Sequence, residues 1–268
     1  LRASNSAVAW RIVREERAEG AVPFYVHPEW AGRFPWLVQG TTARGQGDEP
    51  FDLRLFGTLP VGTVLERWRA LRGATGLPSA VHARQVHGAT VAIHSRGAPG
   101  LLIIDDLDGH ATREAGLLLT VSVADCIPIS LVDPVRRAIA LLHGGWRGVA
   151  AGILERGIAT LGALAGSDPG DLHLHLGPAI CGACYEVGPE VHAALGVEVP
   201  PGPRPIDLRA IAAERAVTAG VAPDRISVSA FCTRCGDSPF FSHRAGCGER
   251  QVGLLGIRPD VAAGHDAG

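Results

Sequence analysis

The sequence predicts an α/β protein whose sheet is covered on both faces. Three apolar runs between residues 116 and 143, GLLLTVSV, IPISLVD and RRAIALLH, are near-continuously hydrophobic rather than alternating. Strands buried on both sides have that texture. Elsewhere the period is helical. Val64, Leu65, Trp68 and Leu71 share one face of the segment 61–73, and apolar residues recur every three or four positions through 146–166. Glycine, 35 of 268 residues, is enriched in the loops between these segments.

Residues 8–43 read as short strands and turns, ending in a Gly-rich loop, RGQGDEP. The helix over 61–73 can be capped by Gly73. SAVHARQVHGATVAIHS then holds two short extended runs ahead of the apolar trio. A helix should follow His143-Gly144-Gly145, read as one segment. After it come a strand at 172–176, the loop GPAICGACYEVG and a short helix opening near Pro189. The linker VPPGPRP precedes a helix over 207–219, RISVSAF is a strand, and QVGLLGI closes the sheet. Residues 1–268 read as a single domain with 1–7 and 259–268 frayed.

Composition narrows the function classes. With 46% hydrophobic and 19% charged residues, the chain is neither disordered nor fibrous. A net charge of −2 gives no electrostatic footprint for nucleic acid or an anionic membrane surface. No apolar run has the roughly 18–20 residues of a membrane helix, and the polar, charged first twenty residues do not read as a secretory signal. The cytoplasm is the expected compartment. The six cysteines are then expected as thiols or ligands rather than a disulfide framework. All 25 basic residues are arginine, and methionine is absent. Lysine Schiff-base chemistry and thioether ligation are thereby excluded.

Four loops combine reactive side chains with turn residues: RQVHG, ADC, HGGWRG and GPAICGACYEVG. His87, Cys126 and His143 each lie at or just beyond a strand end. Two imidazoles and a thiolate suffice for a tetrahedral zinc site whose fourth position stays open, the mark of a catalytic rather than a structural site. Arg147 opens the helix after HGGW, where a guanidinium beside backbone N–H groups can bind an anion or simply cap carbonyls. Arg244 and Arg250 in SHRAGCGER offer a second anion contact or a solvated loop. Cys181-x-x-Cys184 and Cys232-x-x-Cys235 have the spacing of a structural zinc ribbon, but nothing in the sequence brings the two loops together. His173 and His175 alternate with leucines and read as a half-exposed sheet face.

RQVHG, ADCIPISLVDP, HGGWRGVAAGI, LGPAICGACYEVG and FFSHRAGCGERQ resemble, in order, the signature blocks of the laccase-domain (YfiH-like) family, also called multicopper polyphenol oxidase or peptidoglycan editing factor. The resemblance spans about residues 36–257. It implies a single layered α/β/β/α domain with mixed sheets. It also implies zinc (with copper able to compete) held by His87, Cys126 and His143, which would also be the catalytic residues. The implied activity is phosphorolysis of adenosine, inosine, guanosine and 5′-methylthioadenosine, with adenosine deamination alongside, so the partners are purine nucleosides and phosphate. Arg44, Arg147, Arg244 and Arg250 are the substrate or phosphate candidates. The chain departs from the family pattern at Asp52, where an asparagine is common, at Cys181, displaced from a usual pair of adjacent cysteines, and at Cys247.

Three other readings stand beside the phosphorylase. A copper polyphenol oxidase would use His₂Cys with a weak axial ligand, without methionine here. A metal-free hydrolase would use Cys126 as nucleophile and His143 as base, leaving His87 without a role. A non-enzymatic scaffold has little use for an open three-ligand site.

Overall fold

The computed structural model describes residues 10–45, 49–95 and 97–259. The chain opens with β1 (Arg11–Val13), β2 (Glu16–Arg17), β3 (Phe24–Val26), α1 (Pro28–Arg33), β4 (Leu37–Thr42) and α2 (Val61–Thr75). A run of strands follows: β5 (Ser79–Arg84), β6 (Val91–Ile93), β7 (Gly100–Asp105), β8 (Gly109–Thr112), β9 (Leu117–Val123), β10 (Ile127–Asp133) and β11 (Ala138–Gly144). The last part holds α3 (Trp146–Ala150), α4 (Ile153–Ala165), β12 (His173–Leu176), β13 (Glu186–Val187), α5 (Pro189–Leu195), β14 (Arg204–Pro205), α6 (Leu208–Thr218), β15 (Ile226–Ser229) and β16 (Gln251–Ile257).

Two seven-stranded sheets form, in the orders β1-β15-β12-β10-β11-β8-β6 and β2-β3-β4-β16-β9-β5-β7. Both are mixed. In the first, β12 is parallel to β15 and antiparallel to β10; in the second, β9 is parallel to β5 and antiparallel to β16. Three apolar clusters show how they stack. Ile127, Ile129, Leu131 and Leu142 of the first sheet pack against Val149, Ile153, Leu161, Val191 and Ala212 of α3–α6. Val132, Ile139 and Leu141 of that sheet meet Leu119, Val121 and Leu255 of the second. Leu118, Ala80 and Leu254, on the second sheet's other face, pack against Val64, Trp68 and Leu71 of α2. The layers are therefore α/β/β/α, because period-two alternation sends neighbouring residues of the central strands into two different cores.

Several local expectations are corrected. The helix α2 continues past Gly73 to Thr75 and ends at Gly76, whose φ of 70° supplies the left-handed cap. The segment after Gly145 is two helices, because Gly152 at φ 83° breaks the run. QVGLLGI does not close a sheet but lies between β4 and β9, with all seven residues buried. His173 and His175 are also buried, not half-exposed, because that face of the first sheet meets the second. His175 Nε2 lies 3.0 Å from Glu15 Oε1, and its Nδ1 lies 2.9 Å from Ser227 Oγ. The expected fraying of 1–7 and most of 259–268, and the centre of the Gly-rich loop at 46–48, lie outside the described residues.

Candidate active site and metal centre

The chain crosses between the sheets three times near one point. One crossing runs from β5 to β6 through His87, a second from β9 to β10 through Ala124-Asp125-Cys126, and a third from β7 to β8 through residues 106–108. Each turns on a non-glycine residue of positive φ, His87 at 60°, Asp125 at 86° and Asp106 at 61°. Such backbone costs about 1–3 kcal/mol and persists only where the surroundings fix it. At Asp125 they do: its carboxylate accepts from Thr233 Oγ1 at 2.6 Å and Arg244 N at 2.7 Å, and its carbonyl accepts from Ile180 N at 3.1 Å. His143, opposite Pro128 in the β10–β11 ladder, comes from the strand beside the second crossing.

Asp108 organises the histidines. Its carboxylate, fully buried, accepts from the backbone N–H groups of Val86, His87 and Gly88 at 3.2, 2.9 and 2.7 Å. The same carboxylate lies 2.8 Å from His143 Nδ1. That contact assigns the Nδ1 proton and leaves Nε2 as the ligating atom. Asp108 is missing from the sequence reading; DDLDGH offers three aspartates with nothing local to separate them.

Ligand atoms of His87, Cys126 and His143 all lie within 4.8 Å of one another. Bonds of about 2.0–2.3 Å at tetrahedral angles separate such atoms by about 3.3–3.6 Å, so small side-chain adjustments close the set on one ion. Gly145 makes room. A Cβ there would stand 3.1 Å from His87 Cδ2 and 3.3 Å from Cys126 Sγ. Burial works against charge at both Cys126 and His143, yet each favours the other's charged form. The thiol is drawn down to about 6 by the His143 imidazole and by hydrogen bonds with His143 and His87. The imidazole is pushed up to about 9 by Cys126 and Asp108. The three converging ligand atoms and the space left by Gly145 fit a metal ion, which on binding would replace the proton shared by Cys126 and His143.

Two cavities meet at this cluster. The larger, about 450 Å³, is lined by Arg54, Phe56, Gln85 and Arg250 beside the three candidate ligands. The smaller, about 300 Å³, is lined by Trp146, Arg147, Tyr185 and Arg244. His87, Ala124, Cys126 and His243 line both. Arg147 lies over the Trp146 ring and Arg244 over the Tyr185 ring. Burial and the nearby Cys126 push the Tyr185 hydroxyl up to about 12, so it stays a donor. Arg250 Nη1 donates to the carbonyls of Gly248 and Glu249 at 2.9 and 2.8 Å. Arg44 is elsewhere: its Nη2 donates to Phe240 O at 2.7 Å, and it lines neither cavity. Phe56, Arg54, Tyr185 and His243 went unnoticed in the sequence, although Phe56 belongs to FDLRLFG and His243 to SHRAG.

Fold and site together define a layered α/β/β/α protein with a His₂Cys cluster, able to hold a metal ion, at a crossing between its sheets. A family model described as multi-copper polyphenol oxidoreductase laccase matches residues 61–258, and the chain belongs to that family. Its relatives include the purine nucleoside phosphorylase YlmD of Geobacillus stearothermophilus, 32% identical over 215 residues, which are 73% of this chain and 74% of that protein. A purine nucleoside phosphorylase of Xylella fastidiosa is 35% identical over 202 residues, 70% of this chain and 75% of its own. A protein named adenosine deaminase RL5, from an unknown prokaryotic organism, is 33% identical over 192 residues, 65% of this chain and 73% of that one. The crystal structure of YlmD from Geobacillus stearothermophilus superposes with a TM-score of 0.83 at 28% identity, covering 91% of this chain and 100% of that one. The names of these relatives support an enzyme.

Proposed function

We propose that the protein is a zinc-dependent purine nucleoside phosphorylase acting on adenosine, inosine, guanosine and 5′-methylthioadenosine, with adenosine deamination as a side activity. The observation that carries this reading is the meeting of the two arginine-lined cavities at His87 and Cys126. In phosphorolysis a phosphate oxygen bonds to the anomeric carbon as the glycosidic C–N bond breaks. The departing base takes the electron pair and must gain a proton. Such a reaction needs cations for phosphate on one side and a flat, partly apolar pocket for the base on the other. Arg147, Arg244 and the protonated Tyr185 suit phosphate in the smaller cavity, while Phe56 and Arg250 suit the nucleoside in the larger. The His₂Cys set with an open fourth position favours zinc. Bound there, zinc would supply a Lewis acid between the two substrates. Asp108 holds His143 in one tautomer, and Asp125 holds the Cys126 turn. The cytoplasm is the expected setting, since thiol ligands stay reduced there.

The test is phosphate dependence. Inosine or adenosine should yield free base and ribose 1-phosphate only when phosphate is supplied, and Arg147→Gln with Arg244→Gln should raise the KM for phosphate more than that for nucleoside. Equal base release in phosphate-free buffer overturns the proposal.

A second reading has its own observation: Cys126, His143 and Asp108 line up as a nucleophile, a base and an orienting carboxylate, the arrangement of a cysteine hydrolase. Alkylation separates the two. A thiolate shared with zinc reacts slowly until a chelator frees it, and zinc then restores unalkylated enzyme. Rapid modification of Cys126, located by peptide mass, in chelator-insensitive active enzyme would establish the hydrolase instead.

A further inference from the structure

The two CxxC pairs converge. β12 and β15 are parallel neighbours in the first sheet, so the loops leaving their C-terminal ends emerge side by side. The backbone joins them directly: Ala179 and Cys232 form a parallel bridge, and Thr233 N donates to Ala179 O at 3.1 Å. Cys181, Cys184, Cys232 and Cys235 thereby bring four sulfur atoms within 4.8 Å of one another, with Cys181 and Cys235 at 3.9 Å. Zinc–sulfur bonds of about 2.3 Å at tetrahedral angles give sulfur–sulfur separations of about 3.8 Å.

The surroundings also suit bound thiolates. Cys232 Sγ accepts from the N–H groups of Cys181, Arg234 and Cys235 at 3.3, 3.4 and 3.5 Å. Gly236, at φ 71°, lets the chain turn sharply after Cys235. The result is a Cys-x-x-Cys-Gly turn whose backbone N–H groups fold back onto the first sulfur. Those donors stabilise negative sulfur as a metal's outer shell does. The Arg234 guanidinium, which donates to Cys184 O at 3.1 Å, sets a positive charge beside a cluster that would carry a net negative charge around a divalent ion.

We propose that these four cysteines form a second, closed metal site that takes one zinc ion and no substrate. Its place in the fold gives it a purpose. Ile180 precedes Cys181 and Thr233 follows Cys232, and these two residues donate to the carbonyl and carboxylate of Asp125. Tying the two loops together therefore holds the Asp125 turn that presents Cys126.

The test is metal stoichiometry by site, on the full chain purified without added metal. Wild type should carry two zinc ions per chain, Cys126→Ser one, Cys235→Ser one and the double variant none. A Cys235→Ser protein that keeps the full metal content overturns the second site. A metal content unchanged in Cys126→Ser but lower by one ion in Cys235→Ser supports the second site while removing the first, so the two proposals fail separately. In the Cys126→Ser background, cobalt substitution should give the thiolate charge-transfer absorption of a tetrathiolate, and a chelator should lower the melting temperature. Wild type provides a check that needs no folded variant: Cys181, Cys184, Cys232 and Cys235 should resist alkylation until a chelator is added. Free labelling of all four in untreated protein, or a disulfide among them in protein with no metal there, overturns the proposal.

Discussion

Asp108 serves four donors at once: three consecutive backbone N–H groups of the His87 turn and Nδ1 of His143. The hydrogen bonds with His143 and with the Gly88 and Val86 N–H groups outweigh the cost of burial and hold its carboxyl below the usual range. One carboxylate thus fixes the positive-φ backbone of one ligand and the tautomer of another. An amide in its place accepts through only one atom and turns a donor toward the others. Asp108→Asn should therefore weaken metal binding by about 10–100-fold, the usual cost of removing an orienting carboxylate behind a histidine ligand. Competition against a chromophoric chelator measures this; affinity equal to wild type would mean that His143 is held some other way. Of the site residues, His87, Cys126 and His143 were legible in the sequence because each lies at or just beyond the end of an apolar strand. Asp108 was not legible, because its importance lies wholly in what it touches across the fold.

The elements owe their spacing to glycines as much as to apolar side chains. Gly253 of β16 faces Pro128 of β10 across the two sheets, and a Cβ there would stand 2.6 Å from Pro128 Cβ. Neither strand can retreat, since both are central in their sheets. Gly253→Ala should destabilise the protein by about 1–3 kcal/mol, the range for overpacking a rigid core. Gly73, within α2, has open space at its Cβ position, so Gly73→Ala should stabilise by about 0.5–1 kcal/mol. Urea unfolding of both variants checks the opposite signs. The same two glycines look alike in sequence. Period and composition marked both segments correctly as strand and helix, but only packing tells which glycine is a necessity.

The molecule as a whole buries histidines that belong to neither candidate metal site. Burial holds His82 at about 4, and burial together with His94 and His82 holds His110 at about 3. Both are neutral in the folded chain across a range in which the unfolded chain, at about 6.5, takes up protons. The sign follows: stability is lost as pH falls below about 6.5, and the loss through His82 stops near 4, where its native form also protonates. Each such histidine removes up to about 1.4 kcal/mol per pH unit in that window. Urea midpoints should fall steeply from pH 6.5 to 4, and less steeply in His82→Gln, which can still bond to Thr120. Parallel curves for the two proteins would place the acid sensitivity elsewhere.

By itself the sequence determined the α/β class, most helices and strands, and the three candidate metal ligands. These are written in local periodicity and in short motifs, where a strand end, a turn and a reactive side chain are neighbours in the chain. It also contained the CxxC spacings, without a reason for them to meet. Tertiary structure alone decided which strands share a sheet, and with that decided the rest. The chain crosses between sheets at His87 and again at Asp125-Cys126, and β12 lies parallel to β15 although 49 residues separate their last and first positions, Leu176 and Ile226, in count. Pairing between distant segments depends on the packing of the whole core, and no window of sequence contains it.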